Sequence, residues 1–198
     1  MRKITQEEFN NFEIIDEIKK CPTGDYSLMN SFAEWCSFAE CCRFAEGCRF
    51  AEGCSFAKGC SFAEGCRFAE CCSFAEGCSF AKGCRFAEGC RFAKCCSFAE
   101  CCSFAECCSF AEWCRFAEGC TIESKHKLLS MKKIDNIGSR NACTYFFECE
   151  EGLFVRCGCF FGNIEEFENR IKKTYKEGEK HYIEYVEAIK YIQKIIDL

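Results

Sequence analysis

From Ser31 to Cys120 the chain says one six-residue phrase fifteen times, and no other feature restricts its fold so tightly. The phrase opens as Ser31-Phe32-Ala33-Glu34-Trp35-Cys36 and closes as Arg115-Phe116-Ala117-Glu118-Gly119-Cys120. Phe, Ala and the final Cys never vary. The first slot is Ser nine times and Arg six, the fourth is Glu twelve times and Lys three, and the fifth is Gly, Cys or Trp. A short fixed period is the mark of a solenoid, whose units bury apolar surface only against their neighbours. Six is a poor period for a helix. It advances about 600°, so successive Phe step around the axis instead of forming a stripe. Gly inside most phrases adds a cost of about 1 kcal/mol each.

A parallel β-helix fits better. Read from Phe, the phrase is Phe-Ala-Glu-Gly-Cys-Ser, a large apolar residue followed four places later by a small one. This resembles the hexapeptide of left-handed β-helices, with Phe in place of Leu, Ile or Val and Cys as the small hydrophobe. The resemblance implies three hexapeptides per triangular coil, eighteen residues, and therefore about five coils from fifteen phrases. The variable slots test it, because residues on adjacent coils stack about 4.8 Å apart. One column at that spacing reads Glu40, Lys58, Glu76, Lys94, Glu112, and stacked opposite charges are favourable. A second reads Glu46, Glu64, Lys82, Glu100, Glu118. The third, Glu34, Glu52, Glu70, Glu88, Glu106, is all acidic, with Arg49, Arg67 and Arg85 three residues before its middle three members. Four phrases per coil lose the alternation.

The flanks complete the expected architecture. Residues 1–30 read as an N-terminal helical cap: Thr5 and Glu8 form a capping box, and Phe9, Phe12, Ile15 and Ile18 give an apolar stripe ended by Pro22 and Gly24. Residues 31–120 are the solenoid. Residues 121–198 read as a C-terminal α+β domain. It has a strand within Lys127–Ile137, a hairpin of Cys143–Phe147 and Leu153–Phe161 around Glu151-Gly152, and two helices. The first helix starts at Asn163 and Glu166, with Phe167, Ile171 and Tyr175 on its buried face. The second runs from about Glu179, with Ile183, Val186, Ile189, Ile192 and Ile195 apolar. The expected fold is mainly β.

The repeats, together with Tyr145-Phe146-Phe147, Val155-Arg156-Cys157-Gly158-Cys159-Phe160-Phe161-Gly162 and Glu165-Glu166-Phe167, resemble a group of proteins from low-GC bacteria and their phages. These carry Ser-Phe-(Gly or Ala)-x-x-Cys hexapeptide repeats and a small C-terminal α+β domain. The resemblance implies a phage or mobile-element setting, where anti-defence proteins are frequent. It supplies no catalytic residues.

Composition narrows the function classes. The net charge is −5, with 29% charged and 49% hydrophobic residues, so neither a disordered nor a polyanion-binding chain is expected. No run of eighteen apolar residues occurs and Met1–Glu8 has no apolar h-region, so the expectation is no membrane and a cytoplasmic protein of the bacterial host cell. The 25 cysteines are then expected as free thiols. Hexapeptide acyltransferases use such a coil but need a His as base at the coil interface. The repeats contain none, and the chain has only His126 and His181. The β-helix carbonic anhydrases need three His on zinc. Cys41, Cys71, Cys95, Cys101 and Cys107, in the outward fifth slot, read as tolerated substitutions for Gly, with paired-thiol metal binding as the alternative. Cys143, Cys149, Cys157 and Cys159 could ligate zinc, but their spacing matches no strong finger pattern. No metal and no cofactor is expected. The repeats carry 9 Lys and Arg against 12 Glu, too balanced for a duplex mimic, and six Arg make no basic groove, so direct nucleic-acid binding is not expected.

Recognition of a protein remains. Trp35 and Trp113, in the first and last coils, are hot-spot residue types, unless the terminal caps cover them. Glu52, Glu70 and Glu88 offer an acidic stripe. Nearly interchangeable phrases hold little address information, however, whereas the aperiodic tail carries Arg140, Arg156 and His181 among aromatics. Arg140 and Arg156 are expected to be dispensable for folding and to matter for partner binding. The leading reading is a non-enzymatic protein-interaction module, in its sharpest form a phage-encoded inhibitor of a host defence or nucleic-acid-processing system that engages a bacterial host protein or complex. A homo-oligomer is compatible with it. The alternative is an acyltransferase-like enzyme with an unrecognised site.

Overall fold

A computed structural model of the chain describes residues 1–111, 114–123 and 125–196. The chain divides into two compact units, Met1–His126 and Lys127–Leu198. No helix among the described residues is long and apolar enough to cross a membrane.

The first unit is a three-sided parallel β-helix. Each phrase contributes a short strand such as Arg49–Phe50 or Ser55–Phe56. Each strand pairs in parallel with the one eighteen residues away: Ser37 stands opposite Ser55, Ser55 opposite Ser73, and Phe50 opposite Phe68. Three phrases therefore close one coil. Glu40, Lys58 and Glu76 fall in one exposed column, where Lys58 Nζ lies 3.3 Å from Glu76, and in the next column Lys82 Nζ lies 3.2 Å from Glu100. The Phe side chains fill the interior as three interlocked stacks. Phe50 and Phe68 lie parallel at 4.8 Å between centroids, while Phe50 and Phe56 meet edge to face at 5.0 Å. Both geometries suit the aromatic quadrupole.

Backbone groups are satisfied in three ladders per phrase. Arg67 N–H donates to Cys48 O at 2.8 Å, Ala69 N–H to Phe50 O at 2.9 Å, and Gly65 N–H to Lys82 O at 2.9 Å. The carbonyl of the invariant Ala is taken by the invariant thiol. Cys66 Sγ donates to Ala45 O at 3.3 Å, and the same bond recurs from Cys54 through to Cys120. The sixth slot thus needs a small apolar residue that is also a donor.

Each corner turns at the fifth slot, where Gly takes a φ of +67° to +74° and Trp35 and the five Cys take +56° to +60°. This left-handed region is why Gly dominates the slot. The side chains that do occur there lie over the glycine of the next coil. Ring atoms of Trp35 stand 2.6 Å from where a Cβ of Gly53 would be, and the sulfurs of Cys41, Cys71 and Cys101 stand 3.3–3.5 Å from the same point on Gly59, Gly89 and Gly119.

The N-terminal segment differs from one continuous helix. The capping box forms, with Thr5 Oγ1 accepting from Glu8 N–H, but helix α1 covers only Gln6–Asn10. Asp16 and Glu17 take φ of +49° and +65° and turn the chain between antiparallel strands Ile14–Ile15 and Ile18–Cys21. Two adjacent β-branched residues before such a turn favour the hairpin over a helix. Phe9 is buried and meets Phe32 and Tyr26 edge to face, so it does cover the first coil. The solenoid itself extends past the phrases. Ile18–Cys21 pairs in parallel with Cys36–Phe38, and Tyr26 stacks on Phe44 as an added member of that column. At the other end Thr121 pairs with Ser103 and Ile122 is buried. From Ile18 to Ile122 is 105 residues, about six turns.

The second unit is an antiparallel sheet of strands His126–Ile137, Ala142–Cys149, Gly152–Cys157 and Phe160–Asn163, each paired with the next. The long run read as a second hairpin strand breaks at Gly158, φ +61°, and yields two strands. Asn163 caps α2 (Ile164–Thr174) with Glu166 as its capping-box partner, and α3 follows at Lys180–Ile196. Both helices pack on Phe146 and Val155 through Phe167, Ile171, Tyr185, Ala188, Ile189 and Ile192. Ile183, one of the apolar positions of this last helix, is exposed; the buried stripe runs through Tyr185, Ala188, Ile189 and Ile192.

Candidate functional site

Within the second unit, a cleft of about 220 Å³ is lined by the turn after Ile137, the turn at Gly158-Cys159, and α2 and α3. Its apolar lining includes Ile137, Phe160, Phe167 and Ile171, and Arg140 and Arg170 are its exposed cations. The first turn is tied down from below. Gly138, φ +73°, donates its N–H to Glu184 Oε2 at 2.9 Å, and a Cβ there would collide with the Tyr185 hydroxyl. This holds Arg140 so that its Nη1 stands 3.3 Å from where a Cβ of Gly158 would be. Arg170 lies one turn beyond Phe167 on α2, with its guanidinium 5.7 Å from the centre of the Phe160 ring.

Polar groups of the cleft are mostly committed to one another. Ser139 Oγ and Tyr175 Oη are 3.0 Å apart, and Cys157 Sγ and Tyr185 Oη 3.3 Å apart. Cys143 Sγ donates to Asp135 Oδ1 at 2.7 Å. That bond, then burial, pushes the Cys143 thiol up. Burial, then the contact with Cys157, pushes the Tyr185 hydroxyl up. The exception is Thr144: it is 1% exposed, lines the cleft, and its Oγ1 has no hydrogen-bond partner.

The residues singled out from the sequence are scattered. Arg140 is in the cleft. His181 is on α3, with Nδ1 3.0 Å from Glu184 Oε2, so it supports the carboxylate that holds Gly138. Its bond, then the Gly138 N–H, holds the Glu184 carboxyl below the usual range. Arg156 is 8% exposed, with its guanidinium 5.3 Å and 5.7 Å from the ring centres of Phe147 and Phe161. Strand alternation puts Arg156 on the face opposite Val155, where its guanidinium lies over two aromatic rings. Trp35 is 49% exposed and covers Gly53. Trp113 lies outside the described residues. Glu52, Glu70 and Glu88 form an exposed column on the first unit. Of the four tail cysteines, Cys143, Cys157 and Cys159 line the cleft and Cys149 does not, and among the described residues no three His, Cys, Asp or Glu side chains could hold a metal ion.

Arg170 and Thr144 were missed. Arg170 had a signal, since Phe167, Arg170, Ile171 and Thr174 share one helical face at spacings of three and four. Thr144 had none. Compared with known proteins, the chain matches no family model, no curated protein and no solved structure.

Proposed function

We propose that the chain is a non-enzymatic protein-interaction module, with the β-helix as rigid scaffold and the second unit as the carrier of the recognition site. The observation that carries this reading is the cleft: Arg140 and Arg170 have no carboxylate within 4 Å among the described residues, and they border an apolar lining of four side chains. Arg beside aromatic side chains is the composition of interface anchors. In its sharpest form the protein is a phage-encoded inhibitor acting on a bacterial host protein in the host cytoplasm; the resemblance of the repeats to phage proteins supports that form.

The test is capture from bacterial host lysate with the tagged full chain, run beside Arg140→Gln and Arg170→Gln, with acyl transfer from acetyl-coenzyme A as the counter-assay. A discrete partner is expected on the parent chain and not on either variant, with no transfer. Capture that survives both changes but is lost with Glu52→Lys, Glu70→Lys and Glu88→Lys combined moves the site to the solenoid face. Turnover of the thioester supports the acyltransferase alternative instead.

A further inference from the structure

The chemistry of the cleft narrows the partner, and this step rests on the interaction reading just given. At about 220 Å³ the cleft is smaller than the roughly 300–1,000 Å³ of small-molecule sites, so it accommodates one residue-sized group. Its apolar lining calls for an apolar side chain. Its two guanidinium groups call for an anion, and a planar carboxylate matches their fork of donors.

The chain's own carboxylates nearby are already committed. Glu166 accepts from Asn163 N–H at 2.8 Å in the α2 cap. Asp135 accepts from Cys143 and lies 3.0 Å from Lys133 Nζ. Glu184 accepts from Gly138 and pairs with His181. Arg140 and Arg170 are thus left for an anion from outside. Thr144 adds a buried hydroxyl still lacking a partner.

We infer that the cleft takes the C-terminal residue of a partner chain, its apolar side chain against Phe160, Phe167 and Ile171 and its free carboxylate on Arg140 and Arg170. Only at a chain end does one residue carry both an apolar side chain and a carboxylate. Asp and Glu carry the carboxylate without the apolar body. Thr144, which also lines the cleft, has a hydroxyl free to pair with a polar atom of the bound residue.

The experiment uses the full chain and three probes: the peptide Ac-Ser-Gly-Ser-Leu as the free acid, the same peptide amidated, and 4-methylpentanoate. The free acid should bind about tenfold or more tighter than the amide, and Arg140→Gln and Arg170→Gln should each remove most of that difference. Both arginines are exposed, so neither change should lower the melting temperature. Thr144→Val should weaken binding of the acid without lowering the melting temperature. Equal affinity for acid and amide, or binding of neither, overturns the inference, and so does 4-methylpentanoate binding as tightly as the peptide, which would make the ligand a free acid. If lysate capture is lost in the arginine variants while neither peptide binds, the interaction reading stands and this inference falls. Capture that survives both variants takes the recognition site away from the cleft, and this inference falls with it, whereas a parent chain that captures no partner removes the interaction reading itself.

Discussion

The fifth slot of each phrase shows how one backbone angle governs sequence choice. Gly53 and Gly65 have nearly the same φ, +70° and +67°, yet a Cβ on Gly53 would meet the Trp35 ring at 2.6 Å and one on Gly65 would meet nothing within 4 Å. Gly65→Ala should therefore cost only the left-handed backbone penalty, about 1–2 kcal/mol. Gly53→Ala should cost that plus an overpacking term of about 1–3 kcal/mol. Urea denaturation of both variants measures the difference, and Trp35→Ala in the Gly53→Ala background should recover the second term. Equal losses would mean that Trp35 does not rest on Gly53. Arg156 supplies a second test at this scale. Removing a guanidinium held over Phe147 and Phe161, and the stem beneath it, should cost about 2–4 kcal/mol of stability. Arg140→Ala should cost almost nothing in the same melt.

The element that most depends on its environment is the column of stacked thiols. The Cys90 thiol is pushed up by its bonds to Cys108 and Cys72 and by burial, and that of Cys84 by Cys102, Cys66 and burial. In the second unit burial, then Glu151 and Glu148, pushes the Cys149 thiol up to about 12. An unfolded thiol titrates near 8.5. These groups therefore give up no stability below about pH 8.5, and stability falls as the unfolded state ionises while the folded state does not. The slope is about 1.4 kcal/mol per pH unit for each such thiol. The urea midpoint should be level from pH 6 to about 8 and fall steeply by about pH 10.5. A level profile through that range would mean that Cys84, Cys90 and Cys149 ionise as freely as unfolded chain. The columns also mark how far the sequence could be read. Coil length was legible because phrases are identical in their interior slots and differ in charge outside, so the Lys58–Glu76 alternation selects one register. The donor role of the thiols was not, since Cys serves equally well as a small hydrophobe in any such pattern. Nor was the extra coil before Ser31, where Tyr26 takes a Phe position with no phrase around it. The cleft was half legible: Arg140 stands out in the aperiodic tail and Arg170 was missed although it lies on a helical face with Phe167, while the placement of Arg140 against Gly158 depends on how two distant turns meet.

At the scale of the whole molecule, the repeat makes length a variable that the fold can change only in steps. Deleting residues 55–72 removes one coil and brings Phe74 over Phe38, so the interior columns rejoin. The price is a contact of Glu40 with Glu76 where Lys58 had separated them. Deleting residues 55–63 shifts the pattern by half a phrase and brings Phe68 over Cys41 and Phe74 over Gly47, corners that cannot bury a ring. Since solenoid stability is close to a sum of coil and interface terms, the eighteen-residue deletion should unfold cooperatively at a moderately lower urea concentration, with its β circular dichroism intact. The nine-residue deletion should lose far more, although it removes half as many residues. The same pair separates scaffold from site. If recognition belongs to the second unit, the chain lacking 55–72 should capture its partner as the full chain does, because Arg140, Arg170 and the cleft they border are untouched. Loss of capture in a deletion variant that still melts cooperatively would show instead that the partner measures the solenoid, in which case the face bearing Glu52, Glu70 and Glu88 becomes the surface to dissect.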